Sequence, residues 1–388
     1  MMKRLALFAA AAFVVTSAST CLPAVGDATP GGAGRLLTQQ PLTTAAVLPS
    51  AAFTRAVTYT STGAQGQPIV VSGIVAVPRG KAPRGGWPTI SWAHGTTGYA
   101  DVCAPSRDTA TGPSHAYLGP VTGVLDTWIT RGYAVVAADY EGLGTPGGHP
   151  YINGTSEANT VADIVKAAQS VDRRIGREWI VAGHSQGGQA ALFTAQQGDA
   201  RQPSLQLKGA IALAPGGVGL SQTVDFVRSA QPGAEAAESF LPLIVLGANA
   251  ARPSVNPSAV FSDDMAPMVD AARASSCLTQ LRGMPAVAPA KVFRPGADFT
   301  ALSTYLNSQD PSRTTPRVPV LIAQGTADTL VGKAGTDGLV STLCGRKASV
   351  DYRIYNGADH RAVVTDSVTD AQTFGDQVIK GSAPVGTC

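Results

Sequence analysis

Three residues far apart in the chain carry side chains that together can do acyl chemistry: Ser185, Asp328 and His360. Ser185 stands in Gly183-His184-Ser185-Gln186-Gly187, between an apolar run, Trp179-Ile180-Val181-Ala182, and a helix-forming run, Ala190-Ala191-Leu192-Phe193-Thr194-Ala195. That is the strand, sharp turn and helix that a G-x-S-x-G nucleophile requires. The turn strains the serine backbone, and the residues two before and two after it must be small so that strand and helix can approach. A bare G-x-S-x-G is a weak signal in a chain with 43 glycines, and the flanking runs make it specific.

Chain order narrows the partners. Where such a serine tops an α/β sheet, the acid and then the histidine follow it. Of the five histidines, His94, His115, His149, His184 and His360, only His360 lies beyond the serine and its immediate neighbour. His184 adjoins the nucleophile, so it is expected as a packing residue of the turn. His360 follows a strand-like stretch, Val350 to Tyr355, and the turn Asn356-Gly357-Ala358-Asp359. The acid is expected at Asp328, because Val318-Pro319-Val320-Leu321-Ile322-Ala323 reads as a buried strand and Gln324-Gly325-Thr326-Ala327-Asp328 turns away from its carboxyl end. Asp359 is too close to His360 in the chain, Asp351 falls within the last strand, and Asp337 in the following helix is the reserve candidate.

A fourth element lies upstream. Pro88-Thr89-Ile90-Ser91-Trp92-Ala93 reads as a central strand ending in the loop His94-Gly95-Thr96-Thr97-Gly98. Two backbone N–H groups would bind a developing oxyanion, that of Gln186 and that of Thr96 or Thr97, each worth about 3 kcal/mol to the transition state. The chain has no H-E-x-x-H, no Cys or His at zinc spacing and no calcium loop, so no metal and no other cofactor is expected.

With 388 residues, 44% of them hydrophobic, the chain can bury a large core. A net charge of +3 without a basic cluster interleaved with aromatics leaves no footprint for nucleic acid. The N-terminus, Met1-Met2-Lys3-Arg4 followed by an apolar run from Leu5 to Val15 and then Ser17-Ala18-Ser19-Thr20, predicts a secretory signal peptide, residues 1–26, rather than a stable membrane span. Cleavage is expected between Ala18 and Ala28; lipid anchoring through Cys21 is the alternative. Residues 27–50, rich in Pro, Gly, Ala and Thr, are expected as a flexible leader. Export would leave Cys103, Cys277, Cys344 and Cys388 in an oxidising compartment, predicting two disulfides with three possible connectivities.

Strands are expected near 54–60, 69–77, 88–93, 133–138, 178–182, 208–213, 318–323 and 350–355, the first two as a hairpin and the rest alternating with helices. The stretch 216–316 is far longer than one crossover needs. Within it, Phe240-Leu241-Pro242-Leu243-Ile244-Val245-Leu246 either lines an acyl groove or forms the insertion's own core.

The chain resembles the secretory lipase family of α/β-hydrolases in its G-H-S-Q-G-G turn at 183–188, the H-G-T-T-G loop followed by Cys103-Ala104-Pro105-Ser106, the segment Asp139-Tyr140-Glu141-Gly142-Leu143-Gly144, and the Q-G-T-A-D and A-D-H turns. The resemblance implies an α/β-hydrolase fold, a mostly parallel eight-stranded sheet flanked by helices. It also implies a core at 51–215 and 317–388 with a cap or lid at 216–316, and disulfides pairing Cys103 with Cys277 and Cys344 with Cys388. The function implied is a secreted serine carboxylester hydrolase, a lipase, acting on an ester or lipid substrate at a lipid–water interface. Alternatives are a short-chain, polyester or polysaccharide esterase, a serine peptidase on the same scaffold, or a catalytically silent binding protein. Oligomeric state stays open.

Overall fold

The central strands are the apolar runs of the sequence, buried along almost their whole length because helices cover both faces of the sheet. The computed structural model describes residues 32–382 and 386–388; the expected signal peptide and Cys21 lie outside the described residues. The strands are β1 (Leu36–Pro41), β2 (Phe53–Thr62), β3 (Pro68–Val77), β4 (Trp87–Ala93), β5 (Ala134–Ala138), β6 (Ile175–His184), β7 (Gln206–Leu213), β8 (Val320–Gly325) and β9 (Val350–Tyr355). They form one sheet in the order β1-β2-β3-β5-β4-β6-β7-β8-β9. The pairs β1/β2, β2/β3 and β3/β5 are antiparallel, and every later pair is parallel.

Among the described residues there are nine strands rather than the expected eight. The extra one is β1, which falls in the stretch 27–50 read as a flexible leader; the described part of that stretch is ordered instead. Leu36 to Pro41 pair with β2, and Leu48 is buried. The composition reading missed β1 because it is an edge strand whose last four residues are exposed, so it has no apolar alternation to announce it.

Helices α1 (His115–Thr130), α2 (Gly154–Val171) and α3 (Gln186–Arg201) accompany β4 to β7. Between β7 and β8 come α4 (Leu220–Arg228), α5 (Leu241–Ala251), α6 (Pro257–Val260), α7 (Ala266–Ala274), α8 (Leu278–Arg282) and α9 (Thr300–Ser308). The chain closes with α10 (Lys333–Gly345), α11 (Ala362–Asp366) and α12 (Val368–Ile379). One face of the sheet packs against α2, α3 and α10 through residues such as Val161, Leu192 and Leu343. The other packs against α1, α11 and α12 through Leu125, Val363 and Phe374. No helix among the described residues is long and apolar enough to cross a membrane.

The inserted segment has a core of its own, in which Leu241, Leu243, Val245 and Leu246 meet Val224, Met265 and Leu302. The 240–246 stretch therefore belongs to this core, and two of its residues, Phe240 and Ile244, also line the cavity described below. The segment nevertheless belongs to a single compact unit running from Gly32 to Cys388. A disulfide joins Cys103, in the loop after β4, to Cys277 at the start of α8, and a second joins Cys344 of α10 to the C-terminal Cys388. The first closes 174 residues of chain, so Cys103→Ala with Cys277→Ala should cost about 2 to 5 kcal/mol, read as a lowered melting temperature of the folded protein.

Candidate active site

Strand β6 ends by delivering His184 and Ser185 at the carboxyl edge of the sheet, and α3 starts at the next residue. Ser185 has φ 59° and ψ −117°, a backbone state that costs a non-glycine residue of order 1–3 kcal/mol and persists only when its surroundings enforce it. They do so here. The Ser185 N–H donates to the Leu213 carbonyl, and the Ser185 carbonyl accepts from the N–H groups of Gly188, Gln189 and Gly216. The neighbouring glycines are required by space: a Cβ on Gly187 would lie 1.8 Å from the Ala93 carbonyl oxygen, and one on Gly183 would lie 2.1 Å from that of Gly187.

Strand β8 ends in the turn that carries Asp328. Its Oδ1 accepts from the N–H groups of Leu330 (2.9 Å) and Val331 (2.8 Å), which fixes the carboxylate and leaves Oδ2 to accept from His360 Nδ1 at 2.7 Å. Burial alone would raise the Asp328 pKa; the His360 hydrogen bond and charge, with the two backbone donors, outweigh it and hold the group below the ordinary carboxylate range. Asp337 is elsewhere, bonded to Lys333 and Tyr352. Asp359 accepts from the N–H groups of Arg361 and Ala362 and so starts α11.

Ser185 and His360 line one small cavity of about 30 Å³, together with Gly95, Thr96 and Tyr117. Among the described residues no hydrogen bond joins the Ser185 hydroxyl to His360 Nε2, a contact that often tightens only with substrate bound. Thr96 faces this cavity; Thr97 is buried, its carbonyl accepting from the Leu278 N–H. Gln186 opens α3, where a first-turn N–H has no partner within the helix. Of the two threonines weighed, only Thr96 lines the cavity that holds Ser185 and His360.

His184 does more than pack. Its Nε2 lies 2.7 Å from the His360 carbonyl and must be the donor there, leaving Nδ1 to accept from the Tyr117 hydroxyl at 3.0 Å. Tyr117 in turn accepts from the Gly95 N–H at 2.8 Å. The chain Gly95–Tyr117–His184–His360 thus ties the upstream loop to the histidine loop. Burial first, then the charge of His360, lowers the His184 pKa to about 3, so it stays neutral as this arrangement needs. His94 is likewise structural, buried with its ring stacked on Tyr140 and its Nδ1 2.8 Å from the Gly95 carbonyl.

A second network escaped sequence reasoning. The Gln186 side-chain amide donates to Glu157 Oε1 (2.7 Å) and meets His149 Nε2 (3.2 Å), while the Ile152 N–H also donates to Glu157 Oε1. Glu157 Oε2 has no partner, as suits a protonated acid. Burial raises its pKa from 4.5 to about 8, against the opposing hydrogen bonds of Gln186 and Ile152. The consequence has a definite sign. Below pH 4.5 both folded and unfolded chains hold this proton; from there to pH 8 only the folded chain keeps it, so stability falls across that window by something on the order of 4 kcal/mol and levels off above it. Glu157→Gln removes this slope, and its melting temperature relative to the parent should rise steadily between pH 5 and 8. A constant difference would mean that Glu157 is ionised in the folded protein.

On the other side of Ser185 opens a cavity of about 360 Å³ whose walls are mostly apolar, including Ile152, Val218, Phe240, Ile244 and Leu330. Leu243 and Leu246, expected as candidate groove residues, do not line it; they face the insertion's core, and of the 240–246 stretch only Phe240, just before α5, and Ile244 on α5 reach the cavity.

A protein family described as serine aminopeptidase, S33 matches residues 115–367, the whole span from α1 to α11, including Ser185, Asp328 and His360. The chain belongs to the S33 family. Similar solved structures share the α/β-hydrolase fold of this S33 member. Lipase A of Candida antarctica aligns at 18% identity with a TM-score of 0.76, covering 92% of this chain and 84% of that one. The rice cell wall degrading esterase LipA of Xanthomonas oryzae aligns at 20% identity and TM-score 0.71, covering 91% and 100%. A hydrolase of Legionella pneumophila described as putative aligns at 21% and 0.69, covering 88% and 99%. No curated protein matches the S33 member.

Proposed function

We propose that the protein is a secreted carboxylic ester hydrolase working through an acyl-enzyme on Ser185. The observation that carries this reading is the 2.7 Å Asp328–His360 hydrogen bond beside a strained Ser185 that opens onto an apolar cavity. In this reading His360 takes the Ser185 proton as Oγ attacks the ester carbonyl, and Asp328 stabilises the imidazolium. The N–H groups of Gln186 and Thr96 receive the oxyanion. His360 then protonates the departing alcohol, and water, deprotonated by the same ring, releases the acid. No metal or other cofactor enters these steps.

The apolar cavity suits an acyl chain, and Phe226 and Leu330 on its wall are exposed large apolar side chains suited to a lipid–water interface. This favours a lipase or esterase over the aminopeptidase that the family description names. An aminopeptidase must hold the α-ammonium group of its substrate, and no Asp or Glu lines either cavity at Ser185 among the described residues. The inserted segment, 216–316, is assigned the role of cap, since it supplies Phe240 and Ile244 to the site. Secretion rests on the N-terminal signature of the sequence and on two disulfides, which suit an oxidising compartment.

The test is a panel of p-nitrophenyl esters from acetate to palmitate run beside aminoacyl amides, together with fluorophosphonate labelling. Ester hydrolysis with labelling at Ser185 is expected. Cleavage of the amides alone would install the peptidase reading, and no labelling of folded protein would install the silent one.

A further inference from the structure

The two cavities at Ser185 differ in chemistry, and the difference bears on which esters fit. His360 must give its proton to the departing oxygen, so the alcohol part of the ester lies on the His360 side, in the small cavity, and the acyl part in the large apolar one. The small cavity is lined by Arg282, the last residue of α8, and by Arg361, next in the chain to His360. Among the described residues neither guanidinium lies within 4.0 Å of a carboxylate, and, unlike the other unpaired arginines, these two line the cavity that holds Ser185 and His360. The carboxylate of Asp359 is turned to backbone N–H groups instead.

Both arginines are held by aromatic faces. Arg282 lies 5.1 Å over the ring of Phe240 and Arg361 lies 5.7 Å over that of Tyr117. The two charges also feel one another: burial, and then the charge of Arg361, lowers the Arg282 pKa from its ordinary value. Two like charges without a carboxylate partner, lining the cavity that also holds the general base, form a receptor for an anion.

We propose that the protein prefers esters whose alcohol part carries an anionic group, a carboxylate or a phosphate, a few bonds from the ester oxygen, and that Arg282 and Arg361 hold that group. This rests on the ester reading above and names its substrate class. The cavity is small and open to solvent, so the two guanidiniums lie close to the ester and the anionic group is expected only a short linker from it. The reaction balances as for any ester: the Ser185 Oγ–carbonyl bond forms as the bond to the alcohol oxygen breaks, and that oxygen takes the proton held by His360. Water then gives its hydroxyl to the acyl carbon and a proton to Ser185 through His360. The products are a carboxylic acid and an anionic alcohol.

The experiment compares kcat/KM on O-butyryl lactate and its neutral twin, O-butyryl lactamide, and on 2-(butyryloxy)ethyl phosphate and its dimethyl ester. At low salt the anionic member of at least one pair should be favoured about tenfold, the scale of two exposed charge pairs, and the pair that responds identifies the anion. The preference should fall to about one in 0.5 M NaCl and in the double variant Arg282→Gln, Arg361→Gln. Removing two other charges, Arg79→Gln with Arg84→Gln, which line neither cavity, should leave it in place. Equal rates on charged and neutral esters, or a preference that survives the double variant, would overturn the anion site while leaving the ester reading intact. Failure to cleave any of the four esters, by protein that cleaves aminoacyl amides, would instead overturn the ester reading on which it stands.

Discussion

Replacing Ser185 with alanine should lower kcat on an activated ester about 10⁶-fold, and His360→Ala should cost about as much, because nucleophile and base act as one unit and removing either disables both. Asp328→Asn should cost less, about 10⁴-fold. The asparagine keeps the volume, but it presents the wrong group to His360 Nδ1 in one of its two orientations and no charge to the imidazolium in either. Asp337→Asn should change kcat by less than threefold, since that carboxylate answers only Lys333 and Tyr352. Single-turnover kinetics on the four variants check this, and an Asp337 effect larger than that of Asp328 would move the acid to the reserve position.

The second large effect concerns chain length. Gly335 of α10 and Ala237, from the inserted segment, both line the 360 Å³ cavity, and a Cβ on Gly335 would have no heavy atom within 4 Å. Gly335 also has an ordinary helical φ, so Gly335→Phe can be made without backbone strain and with some gain in helix propensity. This substitution, or Ala237→Phe, should depress kcat/KM on long-chain esters tenfold or more while acetate esters change little, because each lost methylene contact is worth roughly 1 to 3 kcal/mol. Loss of equal size on every chain length, at an unchanged melting temperature, would mean that the acyl chain leaves Ser185 by another path.

The parts of this molecule that the sequence discloses are those whose physics is local. Runs such as Ala134–Ala138 and Val320–Ala323 are apolar throughout because both faces are covered, and the glycines around Ser185 belong to one strand, turn and helix, even though the carbonyl that bars a side chain at 187 comes from Ala93. The acid is also local, since Asp328 sits where β8 must turn. What stayed hidden depends on partners distant in the chain. Nothing near Glu157 announces that the Gln186 amide will close over it, and α2 is buried almost all round, Asp163 included. His184 looks like filler until the His360 carbonyl arrives 176 residues later. The same holds for Leu243 and Leu246, whose direction is fixed by how α5 lies on the rest of the insertion and not by their hydrophobicity.

The strained turn at Ser185 also sets what mutation can do there. In a saturation library selected only for soluble, folded protein, positions 183 and 187 should accept glycine alone, since a side chain at either collides with a carbonyl oxygen at 2.1 Å or less. Position 185 should behave in the opposite way. Glycine adopts φ 59° without penalty, so Ser185→Gly should be enriched over the parental serine by a stability gain of about 1 kcal/mol or more. Selecting the same library for ester hydrolysis should restore serine and leave its two glycine neighbours untouched. The ratio of the two enrichments at position 185 then measures how much folding stability the chain forgoes to keep a nucleophile at the tip of that turn.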